Sequence, residues 1–499
     1  MASSDLSRRE LLQAGVAAIA ASGLLAREAS AQGRSRTSQV KNVIFMVSDG
    51  MSMGVPSMAE PFSQMVRGRG THWFRLLQDP EAVTGLFETR SLDSLVTDSS
   101  AASSAWGSGS RVFNGAVNVL PDGTKLTPLA QLMRQAGKKV GLVTTTTITH
   151  ATPAGFAAVH PSRDDEHIIA QQYLDLVDVL MGGGRRFFDP QQREDKRDLI
   201  AEYQRKGYTF WERREQVRGR ERPEKVLGLF YSGHVPYTID HKNDPKLWGE
   251  VPTLAEMARA ALEILSRSRN GFLLQIEGGR VDHAAHANDA AAILWDQLAF
   301  DDAVALAVDF VRRRSDTLLV ITSDHGNSNP GLNGMGEEYR DSEKCLARIA
   351  QAKGSYGAIQ QLLRDAGTPT ADRVREAVRE VTGIEITPEE AQVVAVVAQD
   401  SKQAPVLNRS HANLQGVLGE ILSNYNGVAW IGTQHTGDWA LVTALGAGKE
   451  LFACIRPHKQ AFYQILKATG ITYRNPEMSI EQAKRYIARA PRVRQLHWV

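Results

Sequence analysis

Carboxylates and imidazoles gather at a few points of this chain, and their spacing suits the capture of metal ions. In Glu277-Gly-Gly-Arg-Val-Asp282-His283-Ala-Ala-His286, a loop and one helical turn can aim several ligands at one point. Asp282 and His286, at i and i+4, share a helix face. Asp324-His325 and the isolated His435 of Gly-Thr-Gln-His-Thr-Gly complete an oxygen and nitrogen set suited to zinc. Taken singly, each histidine reads as an ordinary hydrogen-bonded polar residue; their joint arrival at strand ends is what points to metal.

A second stretch, residues 96–106, reads Val-Thr-Asp-Ser-Ser-Ala-Ala-Ser-Ser-Ala-Trp. Its small residues suit a tightly packed helix start. Asp98 followed by Ser99 puts a hydroxyl at the positive end of a helix, where backbone N–H groups can hold an anion. Ser99 is therefore a candidate nucleophile, although an Asp or Ser N-cap on an ordinary small-residue helix has the same pattern.

The elements that must position these residues follow from the apolar runs. Asn-Val-Ile-Phe-Met-Val-Ser, residues 42–48, is the continuous pattern of a strand buried on both faces, and it ends in Asp49-Gly50. Residues 139–145 repeat the arrangement after a helical pattern through Leu129, Leu132 and Met133, and lead into 146–163. A third run, 271–276, delivers Glu277, and a fourth, 317–322, delivers Asp324-His325. The alternation predicts an α/β fold with a mostly parallel central sheet sandwiched by helices. Ligands of such sheets bind beyond the carboxyl ends of the strands, so the polar residues collected there are expected to share one site.

Between these runs, residues 185–223 are rich in charge and read as solvated helix and loop, while 288–314 carry a long helical pattern. Residues 336–426 hold helical stretches such as 370–381 and 387–398 without a buried-strand run, and read as an inserted helical subdomain. The strand pattern resumes at 439–445 and 450–455.

Composition narrows the class. With 499 residues, 42% hydrophobic, the chain can bury one large core or two modest ones. A balance of 58 basic and 56 acidic residues, without a dominant basic run, argues against a nucleic-acid binder and for a small partner. Ser7-Arg8-Arg9-Glu10-Leu11-Leu12, an apolar stretch to Leu25 and Ala29-Ser30-Ala31 resemble a bacterial twin-arginine export signal over residues 1–31. Export by that route usually implies folding, often with a cofactor, before translocation. The expectation is a mature chain from near Gln32, periplasmic or secreted, with no membrane span, since no later run reaches the roughly 20 apolar residues that spanning needs. Cys345 and Cys454 exclude a disulfide framework and leave open one bridge or two buried thiols.

The order Asp49-Gly50-Met51, Thr97-Asp98-Ser99, His150-Ala-Thr152-Pro153 through Ser162-Arg163, Glu277 with Asp282 and His286, Asp324-His325 and His435-Thr-Gly resembles the alkaline phosphatase family. The likeness covers nearly all of residues 32–499 outside the helical insertion, and marks them as one catalytic domain. It implies one zinc ion held by Asp282, His286 and His435 and a second held by Asp49, Asp324 and His325. A third ion, usually magnesium, is implied at Asp49, Thr152 and Glu277, so that Asp49 bridges two metals. Ser99 matches the family nucleophile, Arg163 the phosphate-clamping guanidinium, and Asp98 the residue that orients that arginine. Ser100 stands where the family commonly has a small apolar residue, so the gapless spacing from Thr97 to Trp106 assigns the nucleophile to Ser99. His150 and His283 fall at positions that adjust the third site, which implies zinc competing with magnesium there. The insertion occupies a region that in the family often contributes to dimer contacts or a cap, so a homodimer is an open outcome.

The activity implied is hydrolysis of phosphate monoesters through a phosphoserine. A serine beside a metal becomes an alkoxide near neutral or alkaline pH, and Arg163 can donate two parallel hydrogen bonds that lysine cannot reproduce. Two other readings stand beside it. One is a phosphodiesterase or sulfatase of the same superfamily, although no Cys-x-Pro-x-Arg or Ser-x-Pro-x-Arg pattern surrounds Ser99. The other is an exported, non-catalytic protein that sequesters phosphate or zinc.

Overall fold

The structure is a computed structural model and describes residues 40–489 apart from 366 and 368. The twin-arginine segment lies outside the described residues. Ten strands form the central sheet: β1 (Asn42–Ser48), β2 (Val83–Glu88), β3 (Lys139–Thr147), β4 (Val179–Gly183), β5 (Thr209–Trp211), β6 (Val226–Leu229), β7 (Phe272–Gly278), β8 (Thr317–Thr322), β9 (Ala440–Gly446) and β10 (Cys454–Pro457). Their order is β10-β2-β9-β8-β1-β7-β3-β4-β6-β5, and only β9 runs antiparallel to its neighbours. The mostly parallel α/β sheet expected from the apolar runs is the fold.

Period-two alternation divides β1 between two cores. Ile44 and Met46 join a cluster with Leu274, Ile276, Leu319 and Ile321, which the long helix Ala290–Arg312 covers with Ile293, Leu294 and Leu298. Val43, Phe45 and Val47 point to the opposite face, where Trp106, Phe156 and Phe462 pack. Both faces of the central strands are thus apolar, as a parallel sheet clothed by helices requires.

Several elements escaped the sequence reading. β2, β4, β5 and β6 were not recognised, and the expected strand at 450–455 is a 3-10 turn, Lys449–Phe452, followed by β10. Positive φ at Gly446 and Gly448 turns the chain there, and β10 is an exposed edge strand, so its apolar signal is weak. Residues 185–223 are loops and short helices, apart from β5. Neither cysteine is bridged: Cys345 is buried and Cys454 exposed.

Between 336 and 426 the chain forms helices Ser342–Arg348, Tyr356–Asp365, Ala371–Thr382, Pro388–Gln399 and Leu414–Asn426. The last four share a core of their own, with Ile359, Val374, Val378, Val394, Leu418 and Leu422. Flanking this segment, Gly331–Leu332 pairs antiparallel with Val428–Ala429. Among the described residues, no helix is long and apolar enough to cross a membrane.

The small-residue stretch forms helix Ser99–Ser108, and all ten of its residues are buried. It packs on helix Ala151–Ala157 at backbone distance: a Cβ on Gly107 would lie 2.0 Å from the Gly155 carbonyl oxygen, and one on Gly155 would lie 2.4 Å from Ser103 Cβ. Ser103 Oγ donates to the Ala151 carbonyl at 2.8 Å. Because both contacts are with backbone or a short buried side chain, Gly155→Ala is expected to destabilise the protein by about 1–3 kcal/mol. A chemical denaturation midpoint equal to that of the parent would show that these helices can part freely.

Candidate active site

The carboxyl edge of the sheet gathers the predicted residues. Asp49 directly follows β1, β7 carries Glu277, and the turn after β8 carries Asp324 and His325. Helix Arg280–His286 follows β7 directly and supplies Asp282, His283 and His286. His435 arrives on the short strand His435–Thr436, which pairs antiparallel with Gly326–Asn327 and brings the His435 ring to 3.7 Å from His325, stacked.

Three groups of ligand atoms converge. His286 Nε2 lies 3.4 Å from Asp282 Oδ2, and His435 Nε2 lies 3.5 Å from Asp282 Oδ1. His325 Nε2 lies 3.0 Å from Asp324 Oδ2 and 3.8 Å from Asp49 Oδ1. Thr152 Oγ1 is 3.4 Å from Asp49 Oδ2, and Asp49, His150 and Glu277 offer atoms within 4.8 Å of one another.

Two observations test whether cations fit here. Asp49 Oδ1, Glu277 Oε1, Asp282 Oδ2 and Asp324 Oδ2 are buried without a hydrogen-bond partner, which is costly for a carboxylate unless a cation compensates. His286, His325 and His435 each donate Nδ1–H to a main-chain carbonyl, of Thr433, Gly326 and Thr97 respectively. Each Nε2 is thereby left with its lone pair inward, the arrangement of a ligating histidine. The Nε2 atoms of His286 and His435 face each other at 3.1 Å, a contact between two acceptors that a cation would relieve. The residues fit metal.

The electrostatics point the same way. Burial, then the charges of Asp324, Asp282 and Glu277, push Asp49 well above the usual carboxylate range. Burial raises Glu277 to about 7. Burial would raise Asp282 as well, yet the neighbouring His286, His435 and His325 hold it well below its ordinary value. Burial lowers His435 to about 3.

Ser99 Oγ lies 3.2 Å from His325 Nε2 at the start of its helix. Asp98 is the N-cap: its carboxylate accepts from Ala101 N and Gly115 N and from Arg163 Nη1 at 3.1 Å. Ser100 Oγ is turned back onto the same carboxylate, 2.8 and 2.9 Å from its two oxygens. Of the two adjacent hydroxyls, only that of Ser99 faces the converging ligands. Arg163 is buried, and its Nη2 donates to His150 Nε2 at 2.9 Å.

His150 and His283 stand 5.5 Å apart by ring centroids, and His234, which the sequence reading did not single out, lies 4.5 Å from His283. Other supports were missed too. Asn327 Nδ2 donates to Asp282 Oδ1 at 2.7 Å, Thr144 Oγ1 donates to Glu277 Oε2 at 2.6 Å, and Thr433 supplies only a carbonyl. A carbonyl partner has no sequence signature, since every residue carries one.

Known proteins resemble this chain over most of its length. Residues 40–471 match the profile of the family described as alkaline phosphatase. Alkaline phosphatase 3 of Bacillus subtilis is 30% identical over 449 residues, covering 85% of this chain and 88% of that protein. Alkaline phosphatase 4 of the same organism is 29% identical over 423 residues, covering 83% and 85%. The crystal structure of Thermus thermophilus alkaline phosphatase superposes with a TM-score of 0.84 at 36% identity, over 92% of this chain and 98% of that one. With the sheet and these relatives in agreement, the chain belongs to the alkaline phosphatase family of metal-dependent hydrolases.

Proposed function

We propose that this protein hydrolyses phosphate monoesters to an alcohol and inorganic phosphate through a phosphoserine on Ser99. The observation that carries the reading is the convergence of one free-facing hydroxyl, Ser99 Oγ, with inward Nε2 atoms on one side and an Asp98-anchored Arg163 on the other. One zinc ion would be held by Asp282, His286 and His435, and a second by Asp49, Asp324 and His325. Magnesium, with zinc as competitor, would be held by Asp49, Thr152 and Glu277, close to His150 and His283. When bound, such cations polarise phosphoryl oxygens and lower the pKa of an adjacent hydroxyl or water.

The chain's own groups then divide the work. Arg163 clamps two phosphoryl oxygens with parallel hydrogen bonds, its guanidinium oriented by Asp98. The helix start at Ser99 adds the positive end of the backbone dipole to the same anion. Ser99 Oγ attacks phosphorus, the bond to the leaving alcohol oxygen breaks, and the alcohol takes up a proton. Water then cleaves the serine–phosphorus bond, which releases phosphate and restores the hydroxyl. The same reading has the chain exported by the twin-arginine route to the periplasm or beyond, and the N-terminal residue of the exported protein, expected near Gln32, checks it.

Ser99→Ala is expected to abolish an acid-stable phosphoenzyme, while Ser100→Ala retains it on Ser99, because the Ser100 hydroxyl is committed to Asp98. Mass spectrometry after acid quenching locates the phosphate; finding it on Ser100 in the parent protein would overturn the assignment.

Removal of metal is expected to inactivate the protein and lower its melting temperature, because Asp49, Asp282 and Asp324 repel one another once cations leave. Zinc should restore turnover of an aryl phosphate monoester, and magnesium should raise it further. Fewer than two zinc ions per active chain by elemental analysis would sink the two-zinc assignment. Preference for the matched diester would favour a phosphodiesterase, and absence of turnover with metal bound would favour sequestration.

A further inference from the structure

The helical segment reaches into the metal centre at one place. His286 donates its Nδ1–H to the Thr433 carbonyl at 2.7 Å, and Thr433 is two residues before His435. The loop carrying Thr433 is held on one side by Ser328, whose carbonyl accepts from Ile431 N at 3.0 Å and whose N–H donates to the Gln434 carbonyl at 2.8 Å, and Thr433 itself is held by residues 408–413. Thr433 Oγ1 donates to the Ser410 carbonyl at 2.7 Å and accepts from Asn413 Nδ2 at 3.4 Å. Asn408 Nδ2 donates to the Ile431 carbonyl at 2.8 Å. Asn413 is in turn the N-cap of helix Leu414–Asn426, its Oδ1 accepting from Gly416 N at 2.8 Å.

The same helix also braces the other side of the loop. Asn288, two residues after His286, donates to the Gly432 carbonyl at 2.8 Å. Gly419 of the helix packs so closely that a Cβ there would lie 2.5 Å from Asn288 Cβ. A chain of contacts therefore runs from the helix, through its cap and through Asn288, to Gly432 and to Thr433, whose carbonyl fixes His286.

We propose that Thr433, clasped by residues 408–413 of the helical segment, is a positioning residue for the ion held by Asp282, His286 and His435. This rests on the zinc assignment proposed above. The clasp fixes the direction of one carbonyl, the carbonyl fixes the tautomer and tilt of His286, and the tilt sets how tightly that site retains its ion. Partners of ligating histidines commonly change metal affinity by about 10–100-fold when they are lost.

The test measures zinc release from the full-length, zinc-loaded protein to a chromogenic chelator, in the absence of phosphate. Asp282→Asn identifies the release phase that belongs to this site, because it should lose that ion. Thr433→Val keeps the shape and removes the hydroxyl; it should accelerate that phase about 10-fold or more and leave the other unchanged. Thr433→Ser should restore the parent rate. Asn408→Ala, an exposed change that the fold should tolerate, should accelerate the same phase by a smaller factor. Release from Thr433→Val at the parent rate, or equal acceleration of both phases, would overturn the clasp. If Asp282→Asn keeps the full zinc complement, the site assignment itself is wrong and the inference falls with it.

Discussion

Mutual repulsion among buried carboxylates is the constraint on which this structure turns. Asp49, Glu277, Asp282 and Asp324 are all fully buried at one edge of the sheet. Such a cluster is unfavourable for a bare protein, since each charge raises the cost of the next. The fold tolerates it because the four residues stand just after β1 and β8, in β7 and in the helix after β7, elements fixed by two apolar cores and not by the site. The strain is therefore carried by the rigid part of the molecule, where it leaves converging carboxylate oxygens ready for cations.

Around those oxygens the protein spends its hydrogen bonds on direction. Three histidines present Nε2 because their Nδ1–H groups are tied to carbonyls, and Arg163 is aimed because Asp98 holds Nη1. Asp98 does several things at once: it caps a helix, takes up the Ser100 hydroxyl and orients the arginine. Removing it would loosen all three, so the direction of the Ser99 hydroxyl depends on a residue that need not touch substrate.

Much of this was legible in the chain. Central strands announced themselves as unbroken apolar runs, and three of the four led into the acid or histidine that now faces the site. The spacing of Asp282 and His286 gave a shared helix face, and the small residues after Ser99 gave a close helix contact that Gly107 and Gly155 complete. Less visible were strands too short or too exposed to carry a pattern, such as β5 and β10. The partners of the ligands were also hidden: Asn327, Thr144 and the Thr433 carbonyl act through geometry that only the folded chain creates. The identity of Ser99 over Ser100 lay between these extremes, since spacing chose the register and the Ser100–Asp98 hydrogen bonds give it a physical cause.

The pairing of Gly331–Leu332 with Val428–Ala429 has a topological consequence. It closes the neck of the helical segment, so the chain leaves the main body and returns to it at nearly the same point. Closure entropy rises only with the logarithm of loop length, and a doubling costs about 0.6 kcal/mol. A tethered segment of this kind is close to thermodynamically silent in its length. Its size is free to vary so long as its own core stays filled, and the body constrains only the neck and the few side chains that reach back across it.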